Sequence, residues 1–473
     1  MLLEAGARVA VIGAGPSGLV TAKHLLAAGC DVSVLESEDD LGGQWNAEGP
    51  ASGVWPGMRT NTSRTMTAFY DLPPEPDLPL HPAAEQVLAY LHRYADTFGI
   101  TERIRYSTTV HEVRPGWYVD DEPFDAVVAA SGRYRRPRLA AGLAGFTGET
   151  LHAFDYPGAK HFRGRRVLVY GNGISGLEIA SDLARTTDVV SAYRKPRYVL
   201  QKRVDDTPSD WQWYTRLGAL QRRFLPQERV GDLLRNHVLE VAGNPRDYGA
   251  PEPDPDIFTA GHSLCQDYLD QVAAGQISCR PAIESVHGHT LTFTDSTTEQ
   301  VDVLLMATGY ELDVPYLPDD VWAVAGPDLR LHLRTTHPAL PGFAVVGLFL
   351  AQGPYFPMLE LQAMLVAATW TGGLPASTDP GPEISHDEPA VEPHHVFAGL
   401  LAEELGIEPD PRHHEDLAEA ILLGPLLPAR YHLEGASWRP EAAHLFTRQL
   451  ATSPRARTFP DDRDTFAELG LTS

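Results

Sequence analysis

Two stretches of the chain repeat one pattern of apolar and polar positions. Arg8-Val9-Ala10-Val11-Ile12 and Arg166-Val167-Leu168-Val169-Tyr170 are nearly continuous apolar runs. Such runs suit strands covered on both faces of a parallel sheet. Each is followed by a glycine-rich loop, Gly13-Ala14-Gly15-Pro16-Ser17-Gly18 and Gly171-Asn172-Gly173-Ile174-Ser175-Gly176, and then by apolar residues at helical spacing. A strand, a Gly-x-Gly-x-x-Gly turn and a helix together seat the pyrophosphate of a dinucleotide. Two such units in one chain predict two nucleotide cofactors facing each other, and redox chemistry in which one reduces the other.

The two units differ where the second strand of each should end, roughly 20 residues on, beside the adenosine ribose. After the first loop that position is Glu36, 23 residues from Gly13; after the second it is Arg194, 23 residues from Gly171. A carboxylate accepts from both ribose hydroxyls and repels a 2′-phosphate, whereas an arginine binds one through a charge-assisted fork. The first site therefore reads as FAD, with Gly13, Gly15, Pro16, Ser17, Gly18 and Glu36 as contacts. The second reads as NADPH, with Gly171, Gly173, Ser175, Gly176, Arg194 and Lys195, and with Arg197 as a further aid.

Further elements follow from the same patterning. Residues 50–80 are rich in Pro, Gly, Thr and Asn and read as irregular. Glu85 to Phe98 carries Val87, Leu88, Leu91, Tyr94, Ala95 and Phe98 on one helical stripe, and short strands are expected near Val110 and at 117–119. Phe124 to Ala130 and Val301 to Ala307 are twin apolar runs, each ending at a small residue plus glycine, and are read as chain crossings between two nucleotide domains. The expected fold is α/β: two Rossmann-like domains, the NADPH domain inserted into the FAD domain, plus a helical C-terminal region. The boundaries are 1–156 for the first part of the FAD domain, 157–300 for the insert, 301–371 for the second part, and 372–473 for a linker and helices. Within the insert, 201–260 does not fit a Rossmann unit and reads as a helical lid or packing element. Helices are expected near 358–370, 394–405, 414–423 and 440–450, with a Pro/Gly/Asp/Ser-rich linker at 371–392.

Composition narrows the function classes. At 473 residues the chain suits two or three domains. A net charge of −25 makes it a poor ligand for nucleic acid or an anionic membrane. No run of about 18 uncharged apolar residues occurs, so no membrane span is expected. Three cysteines without a Cys-x-x-Cys argue against a disulfide framework and against the disulfide reductases, and for a reducing, cytoplasmic setting. A homodimer is compatible with all of this. His394-His395 and His413-His414 lack carboxylates at zinc-site spacing and read as solvated helix starts, so no metal is expected.

Between the two loops lies Phe146-Thr147-Gly148-Glu149-Thr150-Leu151-His152-Ala153-Phe154-Asp155-Tyr156. This Phe-x-Gly-x-x-x-His-x-x-x-Tyr pattern resembles that of the class B flavoprotein monooxygenases, in particular the flavin-containing monooxygenases of soluble bacterial type. Gly42-Gly43-Gln44-Trp45, Arg59-Thr60-Asn61, Ala307-Thr308-Gly309-Tyr310 and Pro354-Tyr355-Phe356-Pro357 with Glu360-Leu361-Gln362-Ala363 are similar to that family's motifs and lie in the same order. The resemblance covers roughly residues 8–370. It departs at Ala153, where the family often has serine. Tyr156 stands where the related Baeyer–Villiger enzymes usually have tryptophan.

The resemblance implies that NADPH reduces FAD, that NADP⁺ stays bound, and that dioxygen forms a flavin C4a-hydroperoxide. A small-molecule nucleophile, an amine or a sulfide, then takes up the distal oxygen. It further implies that Gly43, Gln44, Trp45, Thr60, His152, Thr308 and Gly309 line the cofactors, and that Asn61 is the catalytic residue that keeps the oxygenated flavin from collapsing to hydrogen peroxide. The competing readings are an Asx turn for Asn61, a structural histidine for His152, and a surface arginine for Arg194. Trp211, Trp213 and Tyr214 read as a packed cap or as a substrate entrance. At the level of function, Baeyer–Villiger oxidation of a ketone, flavin reduction without oxygen transfer, and a nucleotide-binding regulator stay open.

Overall fold

The computed structural model describes residues 2–50, 52–319, 321, 330–375, 377–378 and 391–452. Two five-stranded parallel sheets organise them. The first runs Phe343–Val345, Ala126–Ala129, Arg8–Ile12, Asp31–Leu35, Ile104–Arg105. The second runs Glu149–His152, Val303–Met306, Val167–Tyr170, Val189–Ala192, Ile277–Arg280. Read in this order the sheets correspond strand for strand, and each central strand leads into a glycine loop and a helix, Pro16–Ala27 or Ile174–Leu183.

Each sheet is covered on both faces, which is why its inner strands are continuously apolar. In the first, Val9, Val11, Val34 and Val128 pack under the Pro16–Ala27 and Phe356–Trp370 helices, while Ala10, Ile12, Val127 and Ala129 face Trp117 and Phe124. In the second, Val167, Val169, Val303 and Leu305 meet Leu177, Ile179 and Leu183, while Leu168, Val190 and Leu304 meet Val286, Leu291 and Phe293. The far face carries a three-stranded antiparallel sheet in both halves, at 113–123 and 283–300.

Two strands of the second sheet lie on either side of the expected insert. Glu149–His152 and Val303–Met306 belong to the second sheet, outside the expected 157–300. The first is an edge strand with two exposed residues, too polar to announce itself as buried. The twin runs prove to be equivalent strands, one in each sheet. The crossings follow them: Arg136–Pro137 and Tyr310–Glu311 pair as a short antiparallel ribbon, and the chain rejoins the first sheet only at Phe343–Val345.

The 201–260 segment holds the helices Ser209–Trp213, Arg216–Phe224, Gln227–Ala242 and Ile257–Ala260. Trp211, Trp213 and Tyr214 are all buried, Trp211 against Met66, Tyr70, Leu427 and Phe446 from other parts of the chain. The C-terminal region forms helices at His394–Leu405, Ala418–Leu423 and Ala442–Ala451. His394 and His395 do start a helix, but they are buried rather than solvated. Their helix lies on Phe356–Trp370, and His394 Nδ1 meets the Pro354 carbonyl at 2.8 Å. Of the expected linker at 371–392, residues 376 and 379–390 lie outside the described residues, as does the tail from 453. No helix among the described residues is long and apolar enough to cross a membrane. All three cysteines are free thiols.

Candidate active site

The first glycine loop is held by contacts that only glycine permits. Gly13 has φ +106°, and a Cβ there would lie 2.7 Å from the Ala130 carbonyl oxygen; one on Gly18 would lie 1.8 Å from the Gly13 carbonyl oxygen. Gly42 and Gly43 also take positive φ and bring their backbone against Gly15, where a Cβ on Gly43 would sit 3.1 Å from the Gly15 Cα. The loop and the Gly43–Trp45 turn thus close on each other. Glu36 is 5 % exposed, and its carboxylate accepts from Ala14 N–H at 2.6 Å, Glu38 N–H at 3.0 Å and the Ser37 hydroxyl at 3.1 Å. It lies at the end of the second strand beside the loop, as a ribose acceptor must. Pro16 begins the helix, and Ser17 is buried beside Gly347. Trp45 is buried with its Nε1–H unpartnered, whereas Gln44 is exposed.

The second loop repeats the construction. Gly171 has φ +128°, and its Cβ would lie 2.3 Å from the Ala307 carbonyl oxygen; that of Gly176 would lie 2.0 Å from the Gly171 carbonyl oxygen. A Cβ on Gly173 would meet nothing within 4 Å, so this part of the loop is open to a ligand. Ser175 sits half-buried in the first turn of the helix. Arg194 and Lys195 are exposed just beyond the Val189–Ala192 strand, and the Lys195 carbonyl accepts from Asn172 Nδ2 in the loop at 2.7 Å. The loop and the basic corner are therefore fixed to each other.

Asn61 Oδ1 and Trp45 Nε1 are buried without a protein partner. Buried polar groups are nearly always satisfied by protein or water, so both atoms are available to a further hydrogen bond. His152 accepts from Phe154 N–H through Nδ1 at 3.1 Å and stands edge-on to Tyr310, 5.2 Å between ring centres. Burial lowers its pKa and keeps the ring neutral. It thus touches the crossing ribbon, beside Gly309 (φ +88°) and Thr308, whose hydroxyl donates to the Arg138 carbonyl. Thr60 is buried, with its hydroxyl donating to the Thr62 carbonyl at 2.7 Å.

Sequence reasoning missed two groups around Asn61. Lys202 Nζ reaches the Thr60 carbonyl at 3.3 Å, and Asp210 accepts from both Ser63 N–H and the Ser63 hydroxyl. Their separation from Asn61 along the chain leaves no local signal. His24, Asp71 and Glu360 bring potential metal-ligand atoms within 4.8 Å of one another, but the Lys23 ammonium already pairs with Asp71.

Paired glycine-loop seats on corresponding sheets, joined by a ribbon, define a two-nucleotide α/β oxidoreductase. Residues 6–385 match the flavin-binding monooxygenase-like family. The rat dimethylaniline monooxygenase [N-oxide-forming] 2 is 30% identical over 402 residues, covering 78% of this chain and 75% of that protein. The chain therefore belongs to the flavin-binding monooxygenase-like family. It is a flavin monooxygenase using FAD and NADPH. Among solved structures, S-allyl-L-cysteine S-oxygenase from Allium sativum shares the fold over 98% of this chain and 99% of its own, at TM-score 0.60 and 21% identity. Cyclohexanone monooxygenase in its open form does so over 78% and 88%, at TM-score 0.58 and 19% identity.

Proposed function

We propose that the enzyme oxygenates a nitrogen or sulfur atom of a small molecule, with FAD on the Gly13–Gly18 loop and NADPH on the Gly171–Gly176 loop. The observation that carries the cofactor placement is the matched pair of seats with opposite charge at the ribose position, Glu36 in one and Arg194 in the other. The choice of nitrogen or sulfur is supported by the names of two similar proteins, an N-oxide-forming monooxygenase and an S-oxygenase. Glu36 holds the ribose hydroxyls of FAD, and the Gly13, Gly15 and Gly18 backbone faces its pyrophosphate, with Pro16 and Ser17 opening the helix behind it. Gly171, Gly173, Ser175 and Gly176 take the pyrophosphate of NADPH, and Arg194 with Lys195 takes its 2′-phosphate.

Reduced FAD supplies the activation of dioxygen; the protein supplies orientation, hydrogen bonds and exclusion of water. Asn61 offers its unpartnered Oδ1 to the cofactors and keeps reduced oxygen from leaving as hydrogen peroxide. Neutral His152, wedged against Tyr310, fixes the connection between the two halves. Gly43, Trp45, Thr60, Thr308 and Gly309 shape the walls. Gln44, exposed as it is, contributes through its backbone, whose carbonyl accepts from Ser52 Oγ at 2.7 Å. The test is NADPH-dependent oxygen uptake by the purified protein with amines, sulfides and ketones, and the mass of each product. N- or S-oxides are expected. Esters from ketones alone would replace this reading with Baeyer–Villiger oxidation, and NADPH oxidation with no oxygenated product would replace it with flavin reduction.

A further inference from the structure

The loop that carries Asn61 is fastened at both ends by the inserted segment. On one side, Lys202 donates to the Thr60 carbonyl at 3.3 Å and is itself paired with Glu178 at 2.5 Å. Glu178 lies on the Ile174–Leu183 helix that springs from the second glycine loop. On the other side, Asp210 Oδ2 accepts from Ser63 N–H at 2.7 Å and from the Ser63 hydroxyl at 2.9 Å. Trp211, the next residue, donates its indole N–H to the same hydroxyl at 3.1 Å. Lys202 is 8 % and Asp210 is 4 % exposed, so these bonds are made out of reach of water. Charge-assisted bonds in such surroundings are stronger than neutral or solvated ones.

An ionisable carboxyl is an expensive way to hold a serine. Burial raises the Asp210 carboxyl to about 7, and its Oδ1 has no partner. A packed apolar contact would fasten a loop at less cost. A carboxylate does what packing does not: it fixes direction, through two bonds converging on one oxygen, at the residue two places beyond Asn61.

We infer that Asp210, with Lys202 at the opposite end, is a positioning residue that aims Asn61 at the cofactors. This rests on the reading of Asn61 given above. The clamp ties the oxygen-retaining residue to the helix of the second dinucleotide seat through Glu178, Lys202 and Thr60.

The test uses the FAD-bound protein as purified, with NADPH and dioxygen and no oxygen acceptor. Two quantities are read: the rate of hydrogen peroxide release, and amide hydrogen exchange over residues 60–67. Asp210→Ala removes both bonds to Ser63 and is expected to raise peroxide release by about tenfold. Exchange over 60–67 should quicken, with FAD content and the KM for NADPH unchanged. Asp210→Asn retains an acceptor oxygen but loses the charge, so it should recover both readouts in part and fall between Asp210→Ala and the parent; no recovery at all would overturn direction as what the carboxyl supplies. Ser63→Ala, made alongside, removes the hydroxyl bonds and keeps the carboxyl. It should show the same changes at smaller size, so the clamp is tested even if Asp210→Ala does not fold. Asn61→Ala serves as the reference. If Asn61→Ala leaks peroxide while Asp210→Ala and Ser63→Ala stay tight, the clamp is overturned and the Asn61 reading stands. If Asn61→Ala does not leak, the Asn61 reading falls and the clamp falls with it.

Discussion

Glu360 allows a prediction whose size follows from its surroundings. It lies on the Phe356–Trp370 helix, 3 % exposed, and accepts from Tyr70 N–H at 3.1 Å through one oxygen while the other has no partner. Burial, and next the Asp71 charge, push its carboxyl up to about 8, with Lys23 opposing. In the unfolded chain the same group ionises near the ordinary 4.5. Its folded value is raised, so its contribution is fully present below that ordinary value and is lost as pH climbs toward 8. At about 1.4 kcal/mol per unit, the loss across this window is on the order of 4 kcal/mol. Unfolding entropy of about 2.1 cal/mol/K per residue gives on the order of 1 kcal/mol/K for the whole chain, so the shift in melting temperature is about 4 °C. Glu360→Gln keeps the shape and the acceptor for Tyr70 but cannot ionise. Melting of the FAD-bound protein by calorimetry, at intervals from pH 5 to pH 8, should show variant and parent close together at the acid end. The variant should be more stable by a few degrees at the alkaline end. A difference that does not change with pH would refute the assignment of a raised, titrating carboxyl.

Three further outcomes follow. Arg194→Ala should weaken NADPH by about tenfold, the lower end for a charge-assisted bond because the residue is exposed, and leave NADH nearly unchanged; equal losses in the two KM values would contradict a 2′-phosphate role. Asn61→Ala should retain FAD and turn NADPH consumption into peroxide release, measured as peroxide per NADPH with an oxidisable sulfide present; an unchanged product yield would remove Asn61 from the mechanism. Gly176→Ala puts a Cβ 2.0 Å from the Gly171 carbonyl oxygen, so the second seat must open, and NADPH titration of the still yellow protein should show binding greatly weakened; parent-like affinity would show that the loop carries no pyrophosphate.

The parts of this molecule legible in its sequence are those whose cause is local. Val167, Leu168 and Val169, like Ala126–Ala129, are buried in the middle of their sheets, so every one of them had to be apolar. Gly13 and Gly171 stand out because both positive φ and a carbonyl at contact distance forbid a side chain. The edge strand Glu149–His152 was hidden because half of it faces water and can be polar. His394 and His395 look solvated in sequence, yet another helix covers them, and burial drives their pKa down to about 4 and about 3. Lys202 and Asp210 lie 142 and 147 residues from Thr60 and Ser63, the groups they hold. Such pairs leave no periodicity to read; they exist only once the sheets have folded and the inserted segment has docked.

The most direct test of N- or S-oxygenation supplies isotopically heavy dioxygen with NADPH and a substrate that turns over. Mass spectrometry of the product should show one heavy oxygen on nitrogen or sulfur, in an amount that matches the NADPH consumed. A product whose oxygen comes from water, or NADPH consumption balanced entirely by peroxide at every substrate tried, would contradict it.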